Sequence, residues 1–126
     1  MRYLLDTNVI VFMVCAPREL SRRACDLLQY GDGLCLSIAS LWEIAIKCSI
    51  GKLNIALSVS GIADECAKRG IDVIPISPAA LDAIGRLPAI HGDPFDRLLV
   101  AQAQTAGLTI ITRDGTIPKY DIQTIW

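Results

Sequence analysis

The chain has 126 residues, of which 52% are hydrophobic and 20% charged, with seven aromatics among them. That composition excludes intrinsic disorder, which needs low hydrophobicity and high net charge, and the few aromatics argue against a base-stacking platform. Twelve Lys and Arg against thirteen Asp and Glu leave a net charge of −1, so a wholesale basic nucleic-acid binder is disfavoured while a local basic patch is not.

One domain over residues 1–126 is expected, since domains cluster near ~100–150 residues. In chain order, Arg2-Tyr3-Leu4-Leu5 reads as a short buried strand ending at Asp6. Residues 18–30 read as a helix, with Leu20, Ala24, Leu27 and Leu28 at helical spacing. Leu34-Cys35-Leu36 is a second strand, residues 41–50 a helix before Gly51, and residues 59–69 another closed by Gly70. Residues 72–76 form a strand that Pro75 marks as an edge. A short helix over 79–86 precedes a longer one over 94–106, closed by Gly107 at its C′ position. The strand 108–112 follows. This alternation predicts an α/β sandwich around a mostly parallel central sheet flanked by helices.

The five cysteines, Cys15, Cys25, Cys35, Cys48 and Cys66, include no C-x-x-C. Buried apolar thiols in a reducing cytosol are expected rather than disulfides or a zinc site. No apolar run reaches the ~18 residues of a membrane span, and Asp6 interrupts the N-terminus before a signal-peptide core could form. A cytoplasmic protein with no membrane partner is the expectation.

Four acids could carry chemistry. Asp6 closes the first strand and Asp114 follows the strand 108–112, at the carboxyl ends where open α/β sheets bind ligands. Glu43 in Ser40-Leu41-Trp42-Glu43 fits the N3 position of a capping box begun by Ser40. Asp96 in Asp93-Pro94-Phe95-Asp96 fits N3 behind an Asp93 cap and a Pro94 at N1. Helix capping and turn formation alone explain each acid taken singly. A length argument brings Asp96 and Asp114 together. From Asp96 the helix travels roughly 15–18 Å at ~1.5 Å per residue, and the next strand returns ~20 Å at ~3.3 Å per residue. Thr112 and Asp114 share a strand face if the extended backbone continues that far. Converging carboxylates repel unless a cation sits between them. Oxygen ligands without His or Cys select Mg²⁺ or Mn²⁺. Such an ion activates water and neutralises a phosphodiester, which is hydrolytic nuclease chemistry. The only histidine, His91, lies on a loop and reads as a surface residue.

Taken together, these segments resemble a known family. Leu4-Leu5-Asp6-Thr7-Asn8 is similar to the opening of PIN-domain ribonucleases. Residues 37–47 with Gly51-Lys52-Leu53, then Leu87-Pro88, His91 and residues 93–103, resemble one branch of the VapC-type toxins, and Thr112-Arg113-Asp114 closes the set. The resemblance runs over residues 3–120. It implies a PIN-like three-layer sandwich and a divalent-metal endoribonuclease, the toxin of a type II toxin–antitoxin pair. It further implies that Asp6 and Asp96 are the principal metal ligands, with Glu43 and Asp114 acting directly or through water and Thr7, Asn8 and Thr112 in support. A homodimer with a small antitoxin partner is implied as well. An acidic pocket suits blockage by an inserted Arg, which pairs bidentately with carboxylates. One departure is Asn8, where many members of this branch carry His.

Lys47, Arg97 and Arg113 adjoin these motifs and are candidate RNA contacts, although an i,i+4 pair of Lys47 with Glu43 competes. Trp42 and Trp126 read as packing residues. The rival reading is a haloacid-dehalogenase-like phosphatase using Asp6; it wants a second Asp where Asn8 stands. A receiver domain fails as well, because Ser37 and Ser77 stand at the ends of the second and third strands.

Overall fold

Leu4 and Leu5 are neighbours in one strand and belong to two different cores. Successive strand side chains face opposite ways, so a strand apolar at every position must be covered on both sides. In the computed structural model, which describes residues 1–126, the three central strands are covered in this way and the two edge strands less so. Five strands, β1 (Tyr3–Leu5), β2 (Leu34–Ser37), β3 (Asp72–Ile74), β4 (Thr109–Ile111) and β5 (Thr124–Ile125), form one sheet in the order β3-β2-β1-β4-β5. All four pairings are parallel, with Leu4 opposite both Cys35 and Ile110, and Leu5 opposite Leu36 and Ile111.

Helices α1 (Thr7–Cys15), α2 (Arg22–Tyr30), α3 (Ile38–Ser49) and α4 (Val59–Lys68) contribute Val9, Leu28, Ile44 and Ile62 to the core that holds Leu5, Leu36 and Ile111. On the other face, α6 (Pro94–Ala106) packs Leu99, Val100 and Ala103 against Leu4, Cys35 and Ile110, and α5 (Pro78–Ile84) packs beside α6. The expected three-layer α/β sandwich is therefore present. No helix is long and apolar enough to cross a membrane.

Several boundaries differ from expectation. Helix α1 was not anticipated: its Val-Ile-Val-Phe-Met-Val run lacks a polar face, and Val9, Ile10 and Met13 are buried while the rest is shielded in part. The expected helix 18–30 begins instead at Arg22, capped by Ser21, after a single 3₁₀ turn over Pro17–Glu19. Helix α3 starts at Ile38 rather than 41, because Ser37 and not Ser40 is the cap, its hydroxyl accepting from the Ala39 amide. Strand β3 stops at Ile74, before Pro75, and lies at the sheet edge as Pro75 suggested. The two-residue β5 was too short to read from sequence. Gly107 takes the left-handed conformation (φ 67°) that ends α6 and turns the chain into β4. The cysteines are all free. Cys35 and Cys66 are buried as expected, Cys25 and Cys48 half-buried, and Cys15 exposed.

Candidate active site

A sheet whose strands all run the same way gathers their carboxyl ends along one rim. Asp6 leaves β1 there, Ser37 leads from β2 into α3, and Thr112 to Asp114 leave β4. Helix α6 runs back against β4, so its N-terminus, with Asp96, returns to the same rim.

Asp6 is buried at the N-cap position of α1, yet its carboxylate makes no capping bond to that helix. It accepts instead from the Thr112 hydroxyl at 2.7 Å, and the Thr112 oxygen in turn accepts the Asp114 amide at 2.9 Å. Burial pushes the Asp6 pKa up to about 6; the Thr112 hydrogen bond and the nearby Thr7 backbone work against this, and the charges of Asp114 and Glu43 add to it. The Asp96 carboxyl is also raised well above the usual carboxylate range, first by burial and then by the charges of Asp6, Asp93 and Asp114. Asp96 Oδ2 lies 3.3 Å from His91 Nε2. These mutual effects place the carboxylates within reach of one another's fields.

Glu43 lies on α3, buried to 6% exposure. Its Oε2 pairs with Lys47 Nζ at 2.8 Å, the i,i+4 pair expected, while its Oε1 is buried with no partner. Asp114 commits Oδ1 to the amides of Thr116 and Ile117, the turn role that its sequence context also allowed. Asp93 is the cap of α6, its Oδ1 accepting from the amides of Phe95 and Asp96. Thr7 donates to Ser40 Oγ at 2.9 Å and so ties α1 to α3; this occupies the hydroxyl that the expected capping box would have used. Asn8 is exposed in the first turn of α1.

The basic candidates divide. Lys47 is partly exposed beside Glu43, with its pKa raised chiefly by that hydrogen bond. Arg113 pairs with Glu19 at 3.0 Å and lies over the Phe12 ring. Arg97 is a structural clamp: it donates to the carbonyls of Pro88, Ile84 and Leu87 and to the Tyr120 hydroxyl. His91 is no surface residue. It is half-buried between Tyr120 and Asp96; its place in the family-like motif singled it out, but nothing in its local sequence assigned it this position. Trp42, read as a packing residue, does pack edge-to-face with Phe95 but remains 60% exposed. Trp126 does pack against the core.

A model of the PIN domain family matches residues 3–123. The chain belongs to the PIN domain family. This PIN chain is 28% identical over 118 residues to Ribonuclease VapC22 of Mycobacterium tuberculosis, spanning 93% of the chain and 90% of that protein. Its fold matches a chain of VapBC2 from Rickettsia felis bound to a promoter DNA fragment, at a TM-score of 0.76 and 17% identity, covering 99% of this chain and 98% of that one. A toxin–antitoxin complex from Klebsiella pneumoniae matches at 0.64 and 17%, covering 98% and 96%. With PIN membership shown, the phosphatase alternative for Asp6 is set aside.

A metal would have to suit the groups present in this PIN site. No three His, Cys, Asp or Glu side chains converge at ligand spacing, so there is no preformed cage. Mg²⁺ does not ask for one, since it keeps several waters and binds through one or two carboxylates. The unpartnered Glu43 Oε1 and the mutual repulsion of Asp6 and Asp96 leave negative charge uncompensated, as an oxygen-loving cation requires. The donor set fits.

Proposed function

We propose that this chain is a Mg²⁺- or Mn²⁺-dependent endoribonuclease, the toxin of a toxin–antitoxin pair, built as a single domain. The observation that carries the reading is the buried Asp6 carboxylate raising the proton affinity of the half-buried Asp96, with the unpartnered oxygen of Glu43 on the same rim. Such an arrangement destabilises a protein unless a cation or a proton relieves it.

Asp6 and Asp96 hold the ion in this reading. When bound, a divalent ion lowers the pKa of water and neutralises charge on a phosphodiester. Thr112 fixes the Asp6 carboxylate and the Asp114 backbone together, so both keep their places as charge redistributes. Glu43 orients the attacking water through Oε1, its other oxygen being anchored by Lys47. Asp114 adds charge and a water-mediated contact. Thr7 holds the α1 and α3 ends in register. Lys47 and Arg113 meet the phosphates flanking the cleaved bond; Arg97 is engaged elsewhere. VapC22 and the toxin–antitoxin complex support both the substrate class and the antitoxin partner.

A homodimer completes the proposal. Ile38 and Trp42, four residues apart on one face of α3, are both exposed, and a second copy would cover them.

The deciding experiment is RNA cleavage with and without metal. Cleavage should require Mg²⁺ or Mn²⁺ and vanish in Asp6→Asn. Activity that persists in excess EDTA overturns the reading.

A further inference from the structure

Four side chains link the core to the acidic rim in one hydrogen-bonded line. Arg97 Nη1 lies 3.2 Å from the Tyr120 oxygen, Tyr120 lies 2.8 Å from His91 Nδ1, and His91 Nε2 lies 3.3 Å from Asp96 Oδ2. The two ends fix the protons between them. A guanidinium can only donate and an ionised carboxylate can only accept. Arg97 therefore occupies a lone pair of the Tyr120 oxygen and leaves its proton for His91 Nδ1. A neutral His91 that accepts at Nδ1 must carry its own proton at Nε2, pointing at Asp96. The anchor is rigid: Arg97 Nη1 also donates to the Pro88 carbonyl at 2.8 Å, and Tyr120 is 3% exposed, packed in the core.

We infer that His91 is a positioning residue for Asp96, held in its Nε2–H tautomer by Tyr120 and Arg97 so that one carboxylate oxygen is fixed and the other is presented to the metal. The inference deepens the metal reading above and rests on it. Groups that orient a metal-binding carboxylate from behind typically matter about 10–100-fold in metal affinity or activity. The arrangement also gives α6 a second fastening at its mouth, independent of the Asp93 cap.

The test uses Mn²⁺ binding by the full-length protein, followed by electron paramagnetic resonance, with no RNA present. His91→Ala should weaken Mn²⁺ by about 10–100-fold. His91→Gln, whose amide nitrogen takes the place of Nε2, should stay within a few-fold of wild type. His91→Asn, whose nitrogen replaces Nδ1, should resemble His91→Ala. Nitrogen NMR of the metal-free protein near pH 8.5, where a free imidazole is neutral, should show the Nε2–H tautomer in wild type and a mixture in Tyr120→Phe. A wild-type Nδ1–H tautomer, or Gln and Ala variants that bind Mn²⁺ equally, overturns the inference. Wild-type protein and Asp96→Asn binding Mn²⁺ alike overturns the metal reading together with it, whereas strong binding that depends on Asp96 and ignores His91 overturns the inference alone.

Discussion

Asp93 and Asp96 stand three residues apart and have different tasks. Asp93 spends one oxygen on two backbone amides, while Asp96 makes no backbone bond and turns to His91. Asp93→Asn should retain substantial cleavage, because Asn caps about as well as Asp, and Asp93→Ala should lose roughly 1 kcal/mol of stability. Asp96→Asn should stay folded and fail to cleave. Melts and cleavage assays on the three variants decide this; an Asp93→Asn protein that is folded and inactive would place Asp93 in the metal site. Asp6 supplies a pH signature. Its folded pKa of about 6 lies above the ordinary 3.8, so the ionised form is the one the fold disfavours. Its stabilisation is complete below about pH 4 and is lost as pH rises through 6, a change of roughly 3 kcal/mol in metal-free protein. Denaturant titrations in EDTA at pH 5 and pH 8 should show that slope in wild type and a flatter one in Asp6→Asn; equal slopes would refute the assignment. The places of Asp6 and Asp114 at strand ends and of Asp96 behind the Asp93 cap were legible because these positions have local signatures, whereas Glu43 was reached through a capping box that the structure does not form. The place of His91 was not legible, because its partner Tyr120 is 29 residues away and nothing local links the two.

At the scale of elements, the strands and the long helix α6 were readable because their signals are local: apolar runs, Pro94 at the start, Gly107 at the end. Helix α1 was hidden by its burial, which removes the polar face that marks a helical period. The start of α3 was misread for a tertiary reason. Ser37 and Ser40 are both plausible caps, and the Thr7 hydroxyl, reaching over from α1, decides between them by engaging Ser40. The exposed stripe of Ile38 and Trp42 on α3 yields a prediction. Trp42→Glu should convert the dimer to monomer by light scattering at micromolar concentration, with the far-ultraviolet circular dichroism unchanged. A variant that remains dimeric assigns the interface to another face.

For the whole molecule, the excess negative charge at the rim couples metal binding to stability. Mg²⁺ at a hundredfold over its pH 8 Kd should add about 2.7 kcal/mol, and the same concentration should add less at pH 5, where protons already relieve Asp6. Thermal melts at the two pH values test it; an equal Mg²⁺ effect at both would separate the ion from these carboxylates. The hydrogen bond between Thr112 and Asp6 spans 106 positions of the chain, and β1 pairs with β4, equally far along the sequence. Closing so long a loop is slow relative to local contacts. During synthesis, then, Asp6 is made long before Thr112, which anchors it, and the nuclease site proposed above cannot assemble until β4 has been made. On the proposed toxin reading, partly made copies lack an assembled site, and an inhibitor is needed only once β4 has joined the sheet.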